Sequence, residues 1–113
     1  LPKGVNLGVG LIKFIPWEGK TFDVVLCDAV LMYTQPKDVS QVMNELDRVA
    51  KKGIVIIDRF LEKEGVAGHV YARDYGKLLT ELGYKVSKQK LTKNDWPTSI
   101  NWQKYGYIWT AKK

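Results

Sequence analysis

Two stretches of this chain place reactive or charged side chains directly after apolar runs. Cys27-Asp28-Ala29 follows Phe22-Asp23-Val24-Val25-Leu26, and Asp58-Arg59-Phe60 follows Ile54-Val55-Ile56-Ile57. A carboxylate at such a point either holds a cationic group of a ligand or braces its own turn through backbone N–H groups. Asp58 and Arg59 either face a substrate or form a local ion pair. His69 and Cys27 are the only residues of their types. With one of each, no metal-ligand cluster of the usual spacing can be assembled, and no internal disulfide can form. His69 falls in a loop, where a solvent-exposed or turn role is the expectation.

The surrounding periodicity says what must position these groups. Residues 22–33 read as an apolar strand that breaks into a small-residue corner. Val39, Val42, Met43, Leu46, Val49 and Ala50 then fall at i, i+3, i+4, i+7, i+10 and i+11, one face of an amphipathic helix over 39–50. Residues 54–58 form a second apolar strand. Strand, helix and strand within about 35 residues predict one right-handed parallel crossover. Near-continuous apolar strands are expected where both sheet faces are covered, and chemistry in such sheets sits at the carboxyl ends of the strands. Pro36 can take the first helical position, and Asp38 with Gln41 also fits a capping box. Lys51 and Lys52 place positive charge at the negative end of the helix dipole, and Gly53 reads as its stop.

Elsewhere, Val5-Asn6-Leu7-Gly8-Val9-Gly10 reads as a short strand weakened by glycine, and residues 16–20 as a turn. Residues 65–68 mark a loop. Asp74 caps a second helix with its stripe at Tyr75, Leu78, Leu79 and Leu82, ended by Gly83. Residues 84–91 predict a strand and 94–99 a turn cluster. Tyr105, Tyr107, Trp109 and Ala111 alternate along a last strand with one aromatic face, expected to pair antiparallel with residues 84–91.

At 113 residues, with 45% hydrophobic and 27% charged side chains, the chain predicts one globular domain. No apolar run approaches ~18–20 residues and no signal-peptide pattern leads it, so neither a membrane span nor secretion is expected. A lone thiol in an apolar strand predicts a reduced, buried Cys27 and a cytoplasmic setting. The chain begins with Leu1 rather than Met, which predicts a fragment or a removed upstream segment. Charge is uneven: residues 1–84 are balanced, and the whole +6 lies in residues 85–113, with seven Lys against Asp95 alone. Trp96, Trp102, Trp109, Tyr105 and Tyr107 lie there too. Lysines among aromatics suit single-stranded nucleic acid; they equally suit an edge pair of strands with inward aromatics and lysines blunting the edge. The second is the simpler reading, because charge blocks usually reflect solvation.

Phe22-Asp23-Val24-Val25-Leu26, the corner and Leu31-Met32-Tyr33, the helix ending Arg48-Val49-Ala50-Lys51-Lys52-Gly53, and Ile54-Val55-Ile56-Ile57 together resemble the second half of a class I S-adenosylmethionine-dependent methyltransferase. The stretch from Leu78 through Leu82-Gly83-Tyr84 to Val86 is similar to the family's last helix and its Gly-aromatic step. The final aromatic strand matches the antiparallel strand these enzymes insert near the sheet edge. Gly10 through Pro16-Trp17 resembles the stretch after their third strand. The resemblance covers nearly the whole chain. It implies an α/β fold: a mainly parallel sheet with flanking helices and an antiparallel edge strand pair, a partial Rossmann-like fold. Residues 1–113 would then be a single domain, the carboxyl-terminal portion of a methyltransferase.

What the resemblance implies for the site is partial. The family's glycine-rich turn after the first strand and its ribose-binding acid have no counterpart here. Leu7-Gly8-Val9-Gly10 lacks the strand-turn-helix context of such a turn and reads as the third strand. Leu11 stands where the family's acidic residue near the adenine falls. By resemblance, Leu11, Ile12, Cys27, Asp28 and Ala29 bind the S-adenosylmethionine cofactor, with Asp28 orienting its amino group or bracing the turn. Tyr33 and Arg59 face the substrate, or Tyr33 packs with its hydroxyl satisfied. Methyl transfer depends on positioning, so no acid–base pair is required. The implied partners are the missing amino-terminal half or a second copy. Alone, the chain would be inactive and bind cofactor weakly or not at all. The alternative is a non-catalytic module whose basic aromatic tail binds nucleic acid or a protein.

Overall fold

A computed structural model describes residue 8, residues 10–67 and residues 70–113. The apolar run, the helical stripe and the second run form strand β1 (Phe22–Asp28), helix α1 (Val39–Val49) and strand β2 (Ala50–Arg59), with β1 and β2 parallel. Cys27 lies beside Ile56 and Asp28 beside Ile57, so the two carboxyl ends emerge together. A short antiparallel hairpin follows, β3 (Gly65–Ala67) and β4 (Val70–Ala72), then helix α2 (Tyr75–Glu81), strand β5 (Lys85–Lys90), helix α3 (Ile100–Tyr105) and strand β6 (Gly106–Lys112). The main sheet runs β1-β2-β6-β5, with β6 antiparallel to both of its neighbours. The expected α/β class and the antiparallel pair at the far edge are both present. Within the described residues the sheet is mixed, parallel only between β1 and β2.

Strand alternation sorts the sheet into two faces. Cys27, Ile54, Ile56, Trp109 and Ala111 point to one side and pack with Val42, Met43 and Leu46 of α1 and Tyr75 and Leu79 of α2. The other face is thinly covered: Ala29, Met32 and Ile57 pack with Trp96 and Trp102 at one end. Val24 and Leu26 of β1 are 55% and 64% exposed. The expectation that both faces of both strands are covered therefore fails for β1, which is also the sheet's edge strand among the described residues. Leu46 sits in the middle of the α1 stripe and is buried. Leu46→Ala should cost about 2–4 kcal/mol by leaving a cavity beneath α1, checked by urea unfolding; an unchanged midpoint would mean that the stripe does not face the core.

Helix ends follow local competition. Asp74 caps α2 by accepting from the Lys77 N–H (3.1 Å), and Gly83 supplies the left-handed stop at φ 96°. Asp38 occupies the N-cap of α1, yet its side chain makes no capping bond. It pairs instead with Lys13 (3.5 Å), and Gln41 donates to the Lys13 carbonyl (3.1 Å), so the expected capping box gives way to contacts with the preceding segment. Pro36 lies in the turn before the helix. The helix stops at Val49, because Ala50 through Gly53 are drawn into β2 by pairing with β1 and β6. Gly53 is therefore a strand residue, and a Cβ there would meet the Ala111 carbonyl oxygen at 2.6 Å. The expected loop at residues 65–68 contains β3, and α3 was not anticipated within the expected turn-to-strand passage. The expected strand over residues 5–10 and the role of His69 lie outside the described residues, apart from Gly8 and Gly10.

Candidate active site at the carboxyl ends of the parallel strands

The corner after β1, where candidate site residues stand, is tightly specified. Ala29 adopts φ 56°, a left-handed conformation that costs a non-glycine residue about 1 kcal/mol or more. Its N–H donates to the Ile57 carbonyl (2.8 Å), which tethers the corner to β2. Asp28 is exposed at the sheet end and has no ion-pair partner among the described residues. A single 3-10 turn, Leu31–Tyr33, then turns the chain toward α1.

Two buried charges from other elements hold that turn. Asp58, at the end of β2, accepts from the Met32 N–H through Oδ2 (3.2 Å) and from its neighbour Arg59's N–H through Oδ1 (2.8 Å). Arg73, 2% exposed, follows β4 and donates to the carbonyls of Leu31 (3.0 Å) and Thr34 (2.7 Å), to the Tyr75 hydroxyl (3.3 Å) and to Glu64. Its own N–H donates to the Arg59 carbonyl (3.2 Å). The turn between β1 and α1 thus has one N–H and two carbonyls fixed by ionic side chains, bonds stronger than neutral ones.

Burial pushes the Asp58 carboxyl up to about 6, against the pull of the Arg59 and Met32 N–H groups and the positive charges of Arg73 and Arg59. Its folded pKa then lies above the unfolded value of about 3.9. Between these values the folded state holds more proton, so this group's contribution is full below the lower value and is lost as pH rises through the upper one. The parent should therefore gain on the order of 2 kcal/mol relative to Asp58→Asn between about pH 7 and about pH 4, measured by urea unfolding at each pH. A constant difference would show that Asp58 does not titrate in that window. Burial, reinforced by the negative charges of Asp58 and Asp28, pushes the Cys27 thiol up to about 12. It is a neutral core side chain near neutral pH and no nucleophile.

The preceding segment is clamped onto α1. Arg48 donates to the carbonyls of Trp17 (2.8 Å) and Ile15 (2.9 Å), while Glu45 accepts from the Ile15 N–H (2.8 Å). Hydrogen bonding from Arg48, then from that N–H, holds the Glu45 carboxyl down to about 2. Leu11 forms an antiparallel bridge with Phe14 and is largely exposed. Ile12 and Tyr33, which is 69% exposed, meet across a shallow cleft of about 340 Å³ together with Lys13, Thr34 and Asp38.

Of the expected site residues, the fold brings Ile12 and Tyr33 to one cleft and puts Asp28 and Ala29 at the carboxyl end of β1, outside the lining of that cleft. Cys27 belongs to the core. Arg59 is buried, with its guanidinium over the Trp102 ring at 5.2 Å from the centroid. Arg73 and the Glu45–Arg48 pair escaped the sequence reading. Glu45 and Arg48 sit three apart on the polar face of a predicted helix, which is a legible pair, but its use as a clamp was not. No periodic or motif signal marks Arg73. Among the described residues no group of three or more His, Cys, Asp and Glu is placed to hold a metal. No described helix is long and apolar enough to cross a membrane.

Comparison with known proteins agrees with this geometry. Residues 2–57 match the family model described as a methyltransferase domain. A crystal structure of a Pyrococcus horikoshii protein superposes with a TM-score of 0.67 at 17% identity, covering 96% of this chain and 59% of that one. A SAM-dependent methyltransferase from Aquifex aeolicus gives 0.63 at 21% identity, covering 97% and 55%. Magnesium protoporphyrin IX methyltransferase from Synechocystis, solved with bound SAH, gives 0.64 at 13% identity, covering 92% and 49%. The chain thus spans roughly half to three fifths of these structures. No curated protein sequence matches it. Residues 2–57 thus resemble the methyltransferase-domain family, and the chain carries part of the fold of S-adenosylmethionine-dependent methyltransferases.

Proposed function

We propose that residues 1–113 are one structural unit, the carboxyl-terminal portion of a methyltransferase that transfers a methyl group from S-adenosylmethionine to an acceptor. The observation that carries this reading is the corner after β1: an exposed Asp28 carboxylate with no ion-pair partner among the described residues, beside a left-handed Ala29, at the carboxyl end of a parallel strand. A carboxylate there suits the ammonium group at the methionine end of the cofactor. Ile12 and Tyr33 line a cleft on the far side of the 3-10 turn that follows this corner. The described donor set fits that end of the cofactor alone, and ribose contacts would come from preceding sequence. When bound, the cofactor supplies an electrophilic methyl group on a sulfonium. The chain's own part is to orient that group and exclude water, with the corner held rigid by Asp58 and Arg73. The neutral Cys27 thiol suits a reducing cytoplasm.

Ultraviolet crosslinking of labelled S-adenosylmethionine to the whole protein tests the assignment. Label should enter the tryptic peptide of residues 21–37, which carries Cys27 to Tyr33; label confined to other peptides contradicts it. The same reading makes the β1 edge, unpaired among the described residues, a partner surface, for the preceding half of the protein or for a second copy. An unpaired apolar edge templates association, and the lysine-rich β5 lies at the opposite edge. The isolated chain is expected to be a dimer or larger in a light-scattering concentration series. A stable monomer at high concentration would mean that the edge is covered.

A further inference from the structure

Beyond the buried Asp58 and Arg59, the carboxyl end of β2 opens onto a second cleft, of about 550 Å³, floored by Phe60, Tyr105 and Tyr107. Its floor is fixed. The Phe60 N–H donates to the Tyr105 carbonyl (2.8 Å), and the Phe60 and Tyr107 rings meet edge to face at 5.0 Å. Its rim is cationic. Lys63 and Lys104 line it, while Lys88 lies 4.0 Å from the Phe60 centroid and Lys90 lies 5.3 Å from that of Tyr107. None of these four lysines makes an ion pair among the described residues, and Glu62 is the only carboxylate in the lining. Four ammonium groups against the one Glu62 carboxylate leave a net positive potential around an aromatic floor, in a volume typical of small-molecule sites.

We infer that this cleft binds a small organic anion with a flat apolar body, the body against the aromatic floor and its carboxylate or phosphate met by the lysines. The Lys88 and Lys104 ammonium groups rest on ring faces, contacts worth only about 0.5–1 kcal/mol at exposed sites, so an anion can draw them off, while Lys90 also donates to the Lys104 carbonyl (3.2 Å). A single-stranded nucleic acid fits less well, because it needs a row of open ring faces. Here Trp102 and Trp109 are buried, Trp96 is stacked on Trp102 with centroids 4.6 Å apart, and Lys88 covers Phe60. Because this cleft and Asp28 share one end of the sheet, it deepens the methyltransferase reading, on which only its role as the acceptor site rests.

An NMR titration resolved by backbone amide, on the chain without cofactor, tests it with naphthoate and its neutral analogue naphthamide. Naphthoate should bind about tenfold more tightly than naphthamide at low salt, with shifts centred on Phe60, Lys104 and Tyr107. Lys88→Gln with Lys104→Gln should weaken naphthoate about fivefold and leave naphthamide unchanged. Equal affinity for the two probes, shifts centred elsewhere, or unchanged naphthoate binding in the variant would overturn the inference. So would a thymidine oligomer that binds the same residues more tightly than naphthoate. Since no cofactor enters the titration, its failure leaves the crosslinking result standing, and failed crosslinking leaves this site intact.

Discussion

Replacing Arg73 with alanine should destabilise the fold by about 3–5 kcal/mol, because it strands buried charge instead of merely deleting a contact. The guanidinium satisfies the carbonyls of Leu31 and Thr34, pairs with Glu64, reaches the Tyr75 hydroxyl and supplies positive potential near buried Asp58. Without it those carbonyls lose their partner in a nearly solvent-free place. The Asp58 carboxyl, already raised by burial, loses one of the charges that favour ionisation. Arg73→Lys keeps the charge but not the planar fork, so it should recover only part of the loss. Urea unfolding near neutral pH measures both. An Arg73→Ala midpoint equal to the parent's would show that the corner between β1 and α1 does not depend on this residue.

Trp109→Ala should cost about 3–5 kcal/mol by opening a cavity where three elements meet. The ring is fully buried and packs edge to face on Tyr75 of α2 at 5.2 Å between centroids, with Phe60 at 6.3 Å and Tyr107 at 6.0 Å. It joins β6 to the helix layer and to the residue that floors the cationic cleft. Its indole N–H has no hydrogen-bond partner among the described residues. Trp109→Phe therefore removes an unsatisfied donor along with some volume, and should cost clearly less than Trp109→Ala. Equal losses in the two variants would mean that the indole N–H is satisfied and contributes.

The elements legible in the sequence were those whose periodicity is driven by burial on one face. The stripe from Val39 to Val49 and the alternation of Tyr107, Trp109 and Ala111 each report a face pressed on the core. Asp74 and Gly83 were legible because a cap and a left-handed stop are local chemistry. Three features escaped for physical reasons. The end of α1 is set by ladder pairing of Ala50 to Gly53 with distant strands, which overrode the local stop signal of Gly53. Helix α3 is six residues long and begins on a weak Ser99 cap, accepting from the Trp102 N–H at 3.4 Å, so it had no room for a stripe. Arg73 acts 42 residues from Leu31, a pairing that exists only once β4 lies against the corner. The candidate site was half legible on the same logic. Asp28 and Ala29 end a readable strand, whereas the burial of Arg59 depends on Trp102 in the unexpected helix.

Calorimetric titration of S-adenosylhomocysteine against two polypeptides is the decisive measurement: residues 1–113 alone, and the same residues within the longer protein proposed above. On the proposed assignment Asp28, Ala29 and Ile12 contact one end of the cofactor, and the glycine-rich turn that would supply backbone-intimate contacts is read as lacking from residues 1–113. Micromolar affinity is expected for the extended protein and binding weaker than about 1 mM for residues 1–113 alone, a difference of at least about 4 kcal/mol. Micromolar affinity for the 113 residues by themselves would contradict the reading of the amino-terminal segment, and no binding by the extended protein would contradict the methyltransferase assignment.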